Sequence, residues 1–203
     1  MDADTLCVPT VPEPLRGAAL GVGAVLLVFS LLTAVSGVWP PMVAVESPSM
    51  HPNLQTGDLV VVTAADDESA VVTSREADGR TQLGGHGDVV VFDTPDWQGP
   101  PIIHRAMFHV EAGENWYDRA NASALGDADD CAELANCPAP RAGYITKGDN
   151  NPVYDQVAGR VGPVRQEWVR AEAAVRIPEL GRVRLLLQRM GAVTVVPGVA
   201  RAG

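Results

Sequence analysis

Ser47-Pro48-Ser49-Met50-His51-Pro52, followed by Gly57-Asp58-Leu59-Val60-Val61-Val62, marks the point where an apolar leader gives way to strand-forming sequence. Proline fixes its own φ and pushes the residue before it towards extended geometry, so the hexapeptide reads as stiff and extended. A serine displayed on such a backbone is a candidate nucleophile if a base lies nearby. Taken alone, the segment is equally a polar turn between a membrane helix and a strand. The valine run after it reads as a β-strand.

Upstream, residues 1–16 form a polar, proline-containing tail that ends at Arg16. Gly17 to Trp39 then runs for about 23 residues without a charge. As a helix it reaches roughly 34 Å, enough for a hydrocarbon core of about 30 Å. Trp39 suits a membrane interface, and Pro40-Pro41 is expected to stop the helix. A cleaved leader is the rival, since Ala34-Val35-Ser36 resembles a small-residue cleavage site. The apolar stretch is longer than such leaders use, which favours a retained anchor. Arg16 is the nearest cation on one side and Arg75 the first on the other, so the bulk of the chain is expected outside the membrane.

Downstream, residues 43–46, 59–63, 88–92, 102–110, 144–147 and 157–161 are short, mostly β-branched runs bounded by Gly, Pro or Asp, as strands are. Residues 169–177 fit a strand or a short helix. The domain is therefore expected to be mainly β, over residues 40–181. Two surface excursions interrupt it, near 64–85 and 111–142; the second holds 7 acidic residues. Cys131 and Cys137 lie in that excursion and could close a small loop or stay as thiols, while Cys7 stands apart. Asn121-Ala122-Ser123 makes Asn121 a glycosylation acceptor if the excursion lies outside the membrane. Residues 182–203 are too broken by charges, Gly191 and Pro197 to span a bilayer, and fit a tail lying on its surface.

The 203-residue chain carries 25 Asp+Glu against 15 Lys+Arg, a net charge of -10, which argues against a nucleic-acid partner. Lys147 is the sole lysine. Acid excess with so little lysine fits a protein bathed in high salt, and biased genomic composition gives the same pattern. The histidines, His51, His86, His104 and His109, include no His-x-x-x-His pair, so neither a metal nor a cofactor is expected. Among them His104 is the distinctive candidate base: it follows Pro101-Ile102-Ile103 and precedes Arg105, a placement that can hold an imidazole at the edge of a buried sheet. Asp149 and Asp155 lie in a turn-rich stretch, Thr146 to Asp155, that could be Asx-turn chemistry alone.

Taken in order, Ser-x-Ser-Met-x-Pro, Gly-Asp with its β-run, Gly87-Asp88-Val89-Val90-Val91-Phe92, Ile103-His104-Arg105 and Lys147-Gly148-Asp149-Asn150-Asn151 resemble the boxes of type I signal peptidases. The resemblance is closest to the archaeal and endoplasmic-reticulum branch, covers residues 17–187, and with the acid-rich composition suggests a haloarchaeal source. It implies a signal-peptidase-like all-β catalytic domain behind one transmembrane helix. It makes Ser49 the nucleophile, Ser47 and Ser49 the oxyanion hole, His104 the base, Asp155 its orienting acid and Asp149 a supporting carboxylate. Met42, Val43, Ala44, Val45, Met50 and Ile103 would line the substrate. The implied substrates are secretory preproteins ending their signal peptides in small residues, met at the cell membrane on its extracytoplasmic face, with the lipid bilayer and the secretion translocon as partners. The alternative is an anchored β-domain that binds without catalysis.

Overall fold

A computed structural model describes residues 13–65, 71–95 and 97–189. Cys7 and the tail beyond residue 189 lie outside the described residues. Helix α1 spans Glu13–Ser36, and its segment Pro14–Ser36 is long and apolar enough to cross a membrane. The helix stops before the prolines. Gly37, with φ +70°, donates its N–H to the Thr33 carbonyl, so a left-handed glycine ends the helix three residues before Pro40. Trp39 then folds back edge-on to Phe29, with ring centroids 5.2 Å apart.

The body is mostly β, as the short β-branched runs indicate. Its strands are β1 (Met42–Ala44), β2 (Leu59–Ala64), β3 (Thr81–Gln82), β4 (Gly85–His86), β5 (Val89–Phe92), β6 (Ile102–Val110), β7 (Gly143–Lys147) and β8 (Val169–Ile177). Six of them form one antiparallel sheet in the order β1-β2-β8-β5-β6-β7, while β3 and β4 make a separate hairpin. Residues 169–177 are thus strand, not helix. Residues 157–161 are turn, not strand. Gly159 adopts φ +68°, and the N–H groups of Val157, Ala158 and Arg160 close local bonds back to Tyr154 and Asp155. The chain ends, as described, in α2 (Gly181–Arg189).

Every residue of β5 is buried, because the strand feeds two apolar layers at once. Alternate side chains point to opposite faces of a strand. Val89 and Val91 join Val60, Val62, Ala173, Met50 and Leu54 in one cluster, while Val90 and Phe92 join Ala106, Tyr144 and Val164 in another. This is why Val89–Phe92 reads as an unbroken hydrophobic run.

The two excursions are more structured than surface loops. Residues 111–142 build a lobe with its own core, where Trp116, Leu125 and Leu134 pack on Phe108, Ile145 and Tyr154. Trp116 is fully buried and donates its indole N–H to the Asn136 carbonyl at 2.8 Å. Cys131 and Cys137 are joined by a disulfide inside this lobe. Exposed Asn121 caps a 3₁₀ turn there, its side chain accepting from the Ser123 N–H and hydroxyl. In the first excursion Val71, Thr73 and Ala77 are buried, and the hairpin β3–β4 follows them.

Candidate active site

His104 sits on β6, paired with Val90 of β5, and is only 5 % exposed. The pairing of β6 with β7 begins one residue on, at Arg105, so His104 sits where the last strand of the sheet has ended. Its Nδ1 is 2.6 Å from Oδ2 of Asp155, itself 2 % exposed. A buried carboxylate accepts only, so Nδ1 carries the proton and Nε2 is left as the basic nitrogen. The same Asp155 oxygen accepts the Thr146 hydroxyl at 2.8 Å. On that layer of the sheet burial pushes the Tyr144 phenol above its ordinary range.

Asp149 does not touch the imidazole. Both its oxygens grip Arg105, at 2.8 Å from Nε and 2.7 Å from a terminal guanidinium nitrogen. Oδ2 also accepts from the Asn53 amide at 2.8 Å. Arg105 is 3 % exposed and spends its remaining donors on the carbonyls of Gln82, Leu83 and Gly87. One buried ion pair thus ties β6, the β3–β4 hairpin, the 148–151 turn and the segment after Ser49 into a single unit. Arginine suits this because its planar fork matches a carboxylate at two points. Neither Arg105 nor Asn53 was singled out by chemistry in the sequence; Arg105 showed only as the residue after His104.

Ser49 lies in a 3₁₀ turn, Pro48–Met50, rather than on an extended segment. Pro48 takes the first helical position, where a missing N–H and a fixed φ favour a turn. The turn drives Met50 into the core, at 0 % exposure, and Val45 is 1 % exposed. Both were expected to meet substrate, and both are core residues instead. Met42, Val43, Ala44 and Ile103 are half-buried, the first three on the edge strand β1.

The Ser49 hydroxyl is 3.1 Å from that of Ser47. The turn after β7 holds the Ser49 backbone: Asn150 donates its N–H to the Ser49 carbonyl at 2.8 Å and its side-chain amide to the Pro48 carbonyl at 3.3 Å. So the stretch 146–155 bonds the Ser49 backbone through Asn150 and the His104 ring through Asp155.

The other titratable candidates lie elsewhere. The half-buried His51 accepts the Thr56 N–H at 3.4 Å. His86 is exposed beside the Arg80 carbonyl, and His109 stands 3.6 Å from Glu111. Lys147 donates to the carbonyls of Gly148 and Asn151.

No protein-family model matches the chain. Curated relatives do. The likeness is to signal peptidase catalytic subunits. The signal peptidase complex catalytic subunit sec11 of Schizosaccharomyces pombe is 30% identical over 130 residues, covering 63% of this chain and 54% of the relative. SEC11C of Homo sapiens is 28% identical over 178 residues, 88% of this chain and 68% of the relative. SEC11 of Paracoccidioides brasiliensis is 25% identical over 172 residues, 83% of this chain and 77% of its own. This chain therefore spans about half the length of the fission-yeast relative. The chain is thus similar, at 25–30% identity, to signal peptidase catalytic subunits.

Proposed function

We propose that this chain is a membrane-tethered serine endopeptidase that removes signal peptides from secretory preproteins. The observation that carries the reading is the buried His104–Asp155 pair, held by the same stretch that grips the Ser49 backbone. In this reading Ser49, His104 and Asp155 serve as nucleophile, base and orienting acid, the arrangement by which a serine attacks an amide.

In the proposed cycle the Ser49 hydroxyl turns from Ser47 towards His104 Nε2 as substrate enters. His104 removes its proton, Ser49 Oγ bonds to the scissile carbonyl carbon, and the carbonyl oxygen becomes an oxyanion. The Ser49 N–H lies in the first turn of the 3₁₀ helix, where backbone N–H groups lack an intrahelical partner, which suits it to that oxyanion. The freed Ser47 hydroxyl is the second donor. His104 then protonates the departing amine, and water, deprotonated by the same nitrogen, hydrolyses the acyl-enzyme. An extended preprotein segment would add alongside the edge strand β1, near Met42, Val43 and Ala44, with Ile103 across the cleft. Asp149 supports the site through Arg105 and Asn53, not by touching the reacting atoms.

The tether reading rests on α1 and on where apolar side chains remain exposed. Outside α1, the large exposed apolar residues among the described ones are Trp39, Val175, Leu180, Val183 and Leu186. Trp39 follows the anchor and the others lie on the end of β8, in the turn after it and on α2, a distribution suited to a domain resting on a bilayer. From Pro40 to Ser49 the chain reaches at most about 33 Å, which keeps the nucleophile near the membrane. In this reading the domain lies on the extracytoplasmic face of the cell membrane, with the translocon as the source of substrate. The single lysine and acid excess support an archaeal, high-salt setting.

Membranes carrying wild type, Ser49→Ala or His104→Ala test the reading on a preprotein. Cleavage by wild type alone is the expected outcome. Retained cleavage by Ser49→Ala would exclude Ser49 as nucleophile.

A further inference from the structure

Asp155 is not the end of the hydrogen-bond chain behind His104. Thr146 lies opposite Ala106 on the neighbouring strand, and His104 is two residues from Ala106, so both side chains share one face of the sheet. Diagonal neighbours of this kind stand roughly 7–8 Å apart, and the Asp155 carboxylate bonds to both. Its Oδ2 is 2.6 Å from His104 Nδ1 and 2.8 Å from Thr146 Oγ1.

Thr146 is itself fixed from three sides. Asp155 donates its N–H to the Thr146 carbonyl at 2.9 Å. Gln156 accepts the Thr146 N–H at 3.0 Å and donates to Thr146 Oγ1 at 3.3 Å. Gln156 also donates to the Gly162 carbonyl at 3.3 Å, and both it and Thr146 are 0 % exposed. With the amide donating in, the single hydroxyl proton of Thr146 is directed at Asp155.

We propose that Thr146, clasped by Gln156, is a positioning residue that sets the orientation and proton affinity of Asp155 and, through it, the basicity of His104. The inference rests on the proposed role of His104 as base. Thr146 keeps its proton throughout; the proton that moves passes from Ser49 Oγ to His104 Nε2 and on to the leaving amine. The other charged groups nearby do not compete for Asp155. Arg105 on β6 is paired with Asp149, Lys147 on β7 with carbonyls, and His51 with the Thr56 N–H.

Removing the hydroxyl leaves the Asp155 charge less shared. The carboxylate then stabilises the His104 imidazolium more strongly, so the imidazole protonates at higher pH. Held protonated at neutral pH, His104 cannot take the serine proton, so in the full-length protein Thr146→Val should lower kcat for preprotein cleavage by about ten- to a hundredfold at a pH below the raised midpoint, with little change in KM, the scale of a lost hydrogen bond to a charged group. The acid limb of the pH–rate profile should move to higher pH. Thr146→Ser should recover most of the rate, and Thr146→Cys, a weaker donor of similar size, should fall between.

NMR titration of the His104 ring in Thr146→Val, or in Thr146→Cys if the valine variant does not fold, gives a readout independent of activity. A raised midpoint is expected. An unchanged kcat and an unchanged midpoint would overturn the proposal. A raised midpoint alongside full cleavage by Ser49→Ala would uphold the Thr146 contact while removing the serine reading.

Discussion

At the scale of single residues, the pairing of charges differs from the simplest expectation of two acids behind one histidine. Asp155 faces His104, whereas Asp149 faces Arg105. Removing one partner of a buried ion pair strands the other without compensation, so Asp149→Ala should cost about 3 kcal/mol, read as a lowered unfolding midpoint in detergent. Asp155→Asn should cost far less stability but most of the activity, because an amide no longer fixes the ring. His104→Lys should leave little activity. Beside the buried Asp155 carboxylate a lysine stays protonated and cannot accept the serine proton, and a pH–rate profile shifted strongly alkaline is the check. His104 stood out in the sequence because apolar residues precede it. Asp149 and Asp155 were told apart only by the family resemblance, since by composition two acids six residues apart in a turn look alike until the strand beside them is placed. Asn53 gave no sign at all, because its partner lies 96 positions away.

At the scale of elements, the strands were legible wherever alternation or a continuous valine run set the burial. They failed where a turn used the same residue types. Val157 to Val161 has two valines, yet Gly159 at φ +68° and bonds back to Tyr154 curl it into turn. Likewise the prolines around Ser49 suggested extension, while Pro48 at the start of a turn gives a 3₁₀ helix and turns Met50 inward. The contact between that turn and the stretch after β7 is close. A Cβ added at Gly148 would fall 2.6 Å from the Ser49 carbonyl oxygen, a backbone atom that cannot swing away. Gly148→Ala should therefore displace Ser49, the proposed nucleophile, and lower kcat by as much as about a hundredfold, with circular dichroism of a folded β domain.

At the scale of the whole molecule, a sheet with both faces covered carries the site, an apolar helix precedes it and a disulfide-containing lobe flanks it. That lobe was the least legible part, since its acidic composition hides the buried Trp116. Trp116→Ala should destabilise the protein by about 3–5 kcal/mol in thermal unfolding. Reduction of the Cys131–Cys137 bond, which closes a loop of sequence separation 6, should cost only about 2 kcal/mol. The central claim is that Ser49, His104 and Asp155 act as one unit in peptide hydrolysis. Groups that act together in one step are strongly non-additive when removed. The most direct measurement is therefore the preprotein cleavage rate of Ser49→Ala, His104→Ala and the double variant, all in the same membranes. Each single change should lower kcat by about 10⁴-fold or more, and the double variant should be no slower than either. Substantial cleavage by Ser49→Ala, or a double variant whose loss is the product of the two singles, would contradict the account.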